Sequence, residues 1–108
     1  MTNIRRYFRE GNLYFLTHVT HNRRPILVDN YDLLQEAMQS KIRKPTRLLA
    51  WVVLPDHLHM IVDPGGCDLS TLVRQFKLSF STRYRKGQGA AVGRVWQYRF
   101  WDHQIRDE

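Results

Sequence analysis

The chain has 108 residues, with 17 Lys or Arg against 10 Asp or Glu, a formal net charge of +7. That length holds one domain able to bury a real core, and an apolar fraction of 43% with 12% aromatic residues excludes a disordered chain. No apolar run approaches the ~18 residues of a membrane span, and Cys67, the only cysteine, excludes a disulfide framework.

In chain order, the β-branched and aromatic run Leu13 to Thr20 reads as a strand. Asn30 is placed to cap a helix from Tyr31 to about Arg43, with Leu34, Met38 and Ile42 on one face. The nearly continuous apolar run Arg47 to Leu54 reads as a central strand. Pro55-Asp56 then makes a tight turn, the Asp side chain bonding back to nearby backbone, and His57 to Asp63 returns as the hairpin partner. Pro64-Gly65-Gly66 ends it. Asp68 or Ser70 caps a second helix to about Lys86, with an apolar stripe of Leu69, Leu72, Val73, Phe76 and Phe80. Gly87 to Gly93 is a loop, and Val95 to Ile105 reads as a final, bent strand. Strand, helix, strand, strand, helix, strand is the order of an α+β, ferredoxin-like split βαβ sandwich, an antiparallel sheet with both helices on one face. The opposite face is left for a site.

The sharpest chemical feature is His57-Leu58-His59. Residues two apart on a strand share a face, so the imidazoles point together while Leu58, Met60 and Val62 face the core. Two imidazoles can chelate a divalent cation, with further ligands needed to complete the site. As a bare pattern the pair is weak, since two polar residues on a wet sheet face look the same.

A pI near 10.1 favours a polyanionic partner, with nucleic acid ahead of an acidic membrane surface. Arg74, Lys77, Ser81 and Arg85 fall on one face of the second helix and suit phosphate contacts, although a solvated face would have the same pattern. Arg5, Arg6, His21, Arg23 and Arg24 bracket the first strand and put basic groups near the sheet's ends, the four arginines as further DNA contacts. Trp96, Tyr98, Arg99, Phe100, Trp101 and His103 mix aromatic and basic groups that could stack on unpaired bases, but a core strand with one wet face explains them more simply.

Four blocks, in order, carry a resemblance: Tyr14 to Pro25 (YFLTHVTHNRRP), Ala50 to His59 (AWVVLPDHLH), Leu72 to Lys77 (LVRQFK) and Val95 to Glu108. Together they resemble the REP-associated tyrosine transposases, in the HUH endonuclease group. The resemblance covers essentially the whole chain, and the VVLPDHLH block is its most specific part. It implies that His57 and His59 bind Mg²⁺ or Mn²⁺. It further implies that a tyrosine cleaves single-stranded DNA, leaving a 5′-phosphotyrosine and a free 3′-OH. The implied substrate is a palindromic repeat hairpin with a flanking single strand, and the implied assembly a homodimer. With no signal-peptide core at Met1 to Arg6, a cytoplasmic location is expected.

The sequence departs from the family pattern at its end. The family carries its nucleophile on a helix after the last strand, with a polar side chain one turn on that completes the metal site, whereas this sequence stops at Glu108. None of Tyr7, Tyr14, Tyr31, Tyr84 and Tyr98 matches the nucleophile position. Tyr84 and Tyr98 are the remaining candidates, without a helical position that aims a phenol at the metal. The expectation is therefore one domain over 1–108, truncated before the tyrosine helix and unable to nick DNA alone. Its loss would uncover apolar surface near Phe100 and Trp101. The alternative is a catalytically inactive nucleic-acid-binding module of the same origin. A phosphoesterase using histidines as acid and base is disfavoured, because His18 and His21 do not form a second H-x-H pair.

Overall fold

Alternation along one strand sets the architecture. Leu58, Met60 and Val62 are buried, while His57, His59, Ile61 and Asp63 between them are only half-buried. A strand that hides every second side chain must be covered on one face and open on the other. The computed structural model describes residues 13–89 and 93–98, and the backbone of 101–104. Its elements are β1 (Tyr14–Val19), a 3-10 turn (His21–Arg23), α1 (Tyr31–Lys41), β2 (Arg47–Val53), β3 (His57–Asp63), α2 (Leu69–Gln88) and β4 (Trp101–Gln104).

The sheet has four antiparallel strands in the order β2-β3-β1-β4, the split βαβ topology expected. Leu16 of β1 and the inward residues of β3 meet Leu34 and Ala37 of α1 and Leu72, Val73, Phe76 and Phe80 of α2 in one core. Both helices therefore cover the same face. The stripe on α2 runs one turn further than expected, to Tyr84, whose ring stacks on Phe80 with centroids 5.9 Å apart. Asp68 caps α2, accepting from the Thr71 amide at 3.0 Å and the Thr71 hydroxyl at 2.7 Å.

Four expectations change. Asn30 does not cap α1 with its side chain. Its amide donates to the Ile26 carbonyl at 2.7 Å and braces the turn before the helix instead. The helix stops at Lys41, although Ile42 still continues the buried stripe. β2 lies at the sheet's edge, not its centre. A bulge between Leu48 and Ala50 sets its phase, so Leu48, Trp51 and Val53 pack on the core while Ala50 and Val52 face outwards. An apolar run on both faces thus needed no neighbour on both edges; Val52 is 58% exposed.

The last strand is also shorter than expected. Trp96 makes an isolated bridge to Thr20, the Gln97 amide donates to Val19, and β4 begins at Trp101, opposite Thr17. Five steps of chain from Trp96 to Trp101 span three from Thr17 to Thr20, so the expected bend is a bulge with two extra residues on this side. Tyr98 stands in that detour and not on a strand. Arg5, Arg6, Tyr7, Arg99, Phe100 and Ile105 lie outside the described residues, as do the side chains of Trp101 and His103. No helix among the described residues is long and apolar enough to cross a membrane.

Candidate functional site

On the open face, β3 presents His57 and His59 with ring centroids 5.0 Å apart. Their neighbours come from strand register. Thr17 of β1 lies directly opposite His59, and its Oγ1 is 2.9 Å from His59 Nδ1. Phe15, two residues earlier on the same face, stacks on the His59 ring at 5.3 Å. Burial, then the neighbouring His57, lowers the pKa of His59, which favours the neutral ring.

His57 is held differently. Asp56 was expected to bond backbone from its turn, but its carboxylate lies 2.7 Å from His57 Nδ1 and 3.0 Å from Arg23 Nε. The His57 hydrogen bond first, and Arg23 after it, hold the Asp56 carboxyl below the usual carboxylate range. The Asp56 carbonyl in turn accepts from the amide and hydroxyl of Thr20, at 3.0 and 3.1 Å, pinning the hairpin turn to the end of β1. Arg23 reaches Asp56 from a left-handed backbone (φ 51°), next to Asn22 in the same region (φ 56°). For Arg23 that conformation costs roughly 1–2 kcal/mol.

Each imidazole therefore has Nδ1 occupied by an oxygen partner. A carboxylate at Nδ1 keeps the proton there and turns the Nε2 lone pair outward, the arrangement of metal-binding histidines. The donor set fits a divalent cation that accepts imidazole nitrogen and completes its shell with oxygens. Among the described residues no third His, Cys, Asp or Glu joins the pair. Thr17, Phe15 and Asp56 were not singled out from the sequence. Asp56 had a signal, being next to His57 in a turn; the β1–β3 register that brings up Thr17 and Phe15 is non-local.

The basic residues are brought together elsewhere. Of the α2 face expected to be wet, Lys77 is 9% exposed and Ser81 6%, so both are buried. The reason is the 93–98 segment, which lies along that face and buries Trp96 there. Lys77 Nζ donates to the Gln97 carbonyl at 3.4 Å and sits 5.6 Å from the Trp96 ring centre. Trp96 Nε1 and Ser81 Oγ both donate to the Lys77 carbonyl, at 3.1 and 2.9 Å. Burial pulls the Lys77 pKa down to about 8. Arg85 donates to the Gly93 carbonyl at 3.1 Å, and Arg24 to the Arg94 carbonyl. Three expected phosphate contacts, Arg24, Lys77 and Arg85, thus hold backbone, whereas Arg74 stays exposed. Between α2 and this segment runs a groove of about 650 Å³, lined by Arg74, Lys77, Arg85, Arg94, Trp96 and Tyr98 among others.

The sequence matches the family model described as "Transposase IS200 like" over residues 11–105. It is 35% identical over 111 residues to the REP-associated tyrosine transposase of Escherichia coli (strain K12), an alignment covering 99% of this chain and 64% of the relative. A solved structure of a REP-associated tyrosine transposase bound to a REP hairpin superposes with a TM-score of 0.76 at 34% identity, covering 100% of this chain and 64% of that one. A crystal structure from Deinococcus radiodurans R1 shares the fold, with a TM-score of 0.68 at 18% identity over 88% of this chain and 79% of that one. The chain thus spans 64% of the length of the E. coli relative.

Proposed function

The chain belongs to the IS200-like transposase family, and from that premise we propose that it forms the metal-holding and DNA-contacting part of a DNA strand transferase. The reaction is cleavage and rejoining of single-stranded DNA beside a hairpin, through a 5′-phosphotyrosine intermediate. The observation that carries this reading is the pair of Nδ1 contacts, His57 to Asp56 at 2.7 Å and His59 to Thr17 at 2.9 Å, on one open sheet face.

In this reading His57 and His59 hold Mg²⁺ or Mn²⁺. A divalent cation there supplies positive charge against a scissile phosphate and its leaving oxygen. Asp56 keeps the proton on His57 Nδ1, Thr17 accepts from His59 Nδ1, and Phe15 limits rotation of the His59 ring. Arg23, 60% exposed and tied to the Asp56 carboxylate that holds His57, puts a positive charge beside the pair. The described tyrosines do not suit the nucleophile's role: Tyr14 packs against the core, Tyr84 is buried on the helix side of the sheet, Tyr31 packs against Trp51, and Tyr98 belongs to the groove beside α2. The nucleophile stays the tyrosine that the resemblance assigns to a helix after the last strand. The substrate carried over from the relatives is a palindromic repeat hairpin, and a homodimer is part of the same proposal.

The test is a calorimetric Mn²⁺ titration of the wild type and of a His57→Ala/His59→Ala double variant. Binding by the wild type and its loss in the variant is the expected result. Equal affinity in both refutes the metal assignment. Hairpin binding that is salt-sensitive but indifferent to both chelator and variant favours a binding-only module.

A further inference from the structure

We propose that the groove between α2 and the 93–98 segment is a second DNA site, one that takes an unpaired nucleotide flanking a hairpin. Tyr98 is the platform for the base, and Arg74 and Arg94 are the partners of its phosphates. The assignment rests on reading the chain as a DNA-processing domain, which names the polyanion. The site is not that of the histidines, because α2 packs on the sheet face opposite theirs.

Charge is the first argument. The lining carries Arg74, Lys77, Arg85 and Arg94 against one carboxylate, Asp68. That carboxylate is committed to capping α2 through Thr71. A groove of about 650 Å³ is in the range that holds a nucleotide-sized ligand.

The second argument is the ring. Tyr98 is 82% exposed, which leaves its ring accessible to a ligand. It is nonetheless held in place. The Arg94 guanidinium lies 3.5 Å from its ring centre and donates to its hydroxyl, so one face is covered by a cation. The other face is open to a base. Stacking needs a base with a free π-face, which duplex DNA does not offer along its length, so the geometry favours an unpaired nucleotide.

The third argument is rigidity. The wall bearing Arg94 and Tyr98 is fixed at successive residues. Gly93, Arg94 and Gln97 carbonyls are held by Arg85, Arg24 and Lys77. The His21 amide donates to the Val95 carbonyl at 2.8 Å, and the Gln97 amide to Val19 at 2.9 Å. A pre-set wall lowers the ordering cost of binding. Arg24, Lys77 and Arg85, which hold that wall, thus build the site while Arg74 and Arg94 remain at its surface.

Fluorescence anisotropy tests this with one labelled palindromic DNA hairpin, blunt or carrying a single-stranded tail of ~8 nucleotides. Tyr98→Ala is expected to weaken binding of the tailed hairpin by about 5- to 100-fold and to leave the blunt one within about twofold. Tyr98→Phe keeps the ring and should retain affinity for the tail. Because Tyr98 is exposed, the melting transition of each variant reports that folding is intact. Unchanged tailed binding in Tyr98→Ala, or equal losses on both hairpins, overturns the groove assignment alone. Failure of the wild type to bind either DNA overturns this assignment together with the reading beneath it.

Discussion

Asp56→Asn isolates the role given to the turn before the histidine pair. The substitution keeps size and a hydrogen-bonding side chain but removes the charge that fixes the proton on His57 Nδ1. The contact is short, 2.7 Å, and charge-assisted, whereas the corresponding contact of His59 with Thr17 is neutral and 2.9 Å long. The larger share of the orientation therefore comes from Asp56. Loss of such an outer partner lowers metal affinity by about 10- to 100-fold, and Thr17→Val should fall at or below the lower end of that range. Mn²⁺ titration by calorimetry, checked by the electron paramagnetic resonance of free Mn²⁺, reads the difference. Arg23→Ala is the control: it removes the other partner of the carboxylate but leaves the His57 acceptor in place, so its effect on Mn²⁺ should be smaller than that of Asp56→Asn. If Asp56→Asn binds Mn²⁺ as the wild type does while His57→Ala does not, Asp56 has no orienting role and the reasoning is wrong.

Other predictions concern the core beneath the site. Burial, helped by the charges of Lys77 and His59, lowers the pKa of His18 to about 3. A histidine kept neutral in the fold loses stability as pH falls below its unfolded value near 6.5. By pH 4.5 this amounts to about 3 kcal/mol, and the gap between wild-type and His18→Leu denaturation curves should open in that window. Lys77 works at the other end of the scale: its folded pKa of about 8 lies below the ordinary 10.5, so the unfolded chain binds the extra proton and stability rises as pH increases from 8 towards 10.5. Lys77→Met should flatten that rise in thermal melts recorded between pH 7.5 and 9.5. Phe76→Ala empties the centre of the core, where the ring is 1% exposed; urea denaturation should show a loss of about 3–5 kcal/mol, and a loss below 1 kcal/mol would mean that the core is not packed as described.

Local pattern carried much of the fold. The alternation around His57 and His59, the stripe on α2 and the Asp68 cap each rest on neighbours a few residues away, and periodicity reads those directly. The position of β2 did not follow, because an apolar run reports that a strand packs, not how many strands flank it. The inner half of the basic face on α2 was misread for a related reason. Lys77 and Ser81 have solvent-facing spacing within their own helix, and only the return of the chain at Trp96, about 20 positions later, covers them. Thr17 and Phe15 were hidden similarly, since β1 and β3 are joined through a helix and another strand and no turn fixes their register.

The turn after β1 separates the basic residues into two groups, and the bulge in the last strand sets Tyr98 beside one of them. Had the chain continued along β1 from Trp96, Tyr98 would have been a ladder residue with its backbone paired. The two extra residues instead leave Tyr98 off the ladder, beside α2 and next to Arg94, while pairing from Trp101 onward lies along β1 next to Thr17. Arg23 stays with the histidine face and Arg24, its neighbour in sequence, turns to the 93–98 segment. Successive left-handed residues at Asn22 and Arg23 are what allow adjacent arginines to serve opposite sides of the sheet. A strained turn and a bulge, both at the same end of β1, thus connect the candidate metal centre with the groove. Flattening the turn with Asn22→Pro, whose ring forbids the positive φ found there, should disturb Mn²⁺ binding and tailed-hairpin binding together. Loss of only one of the two would mean that the sites are built independently.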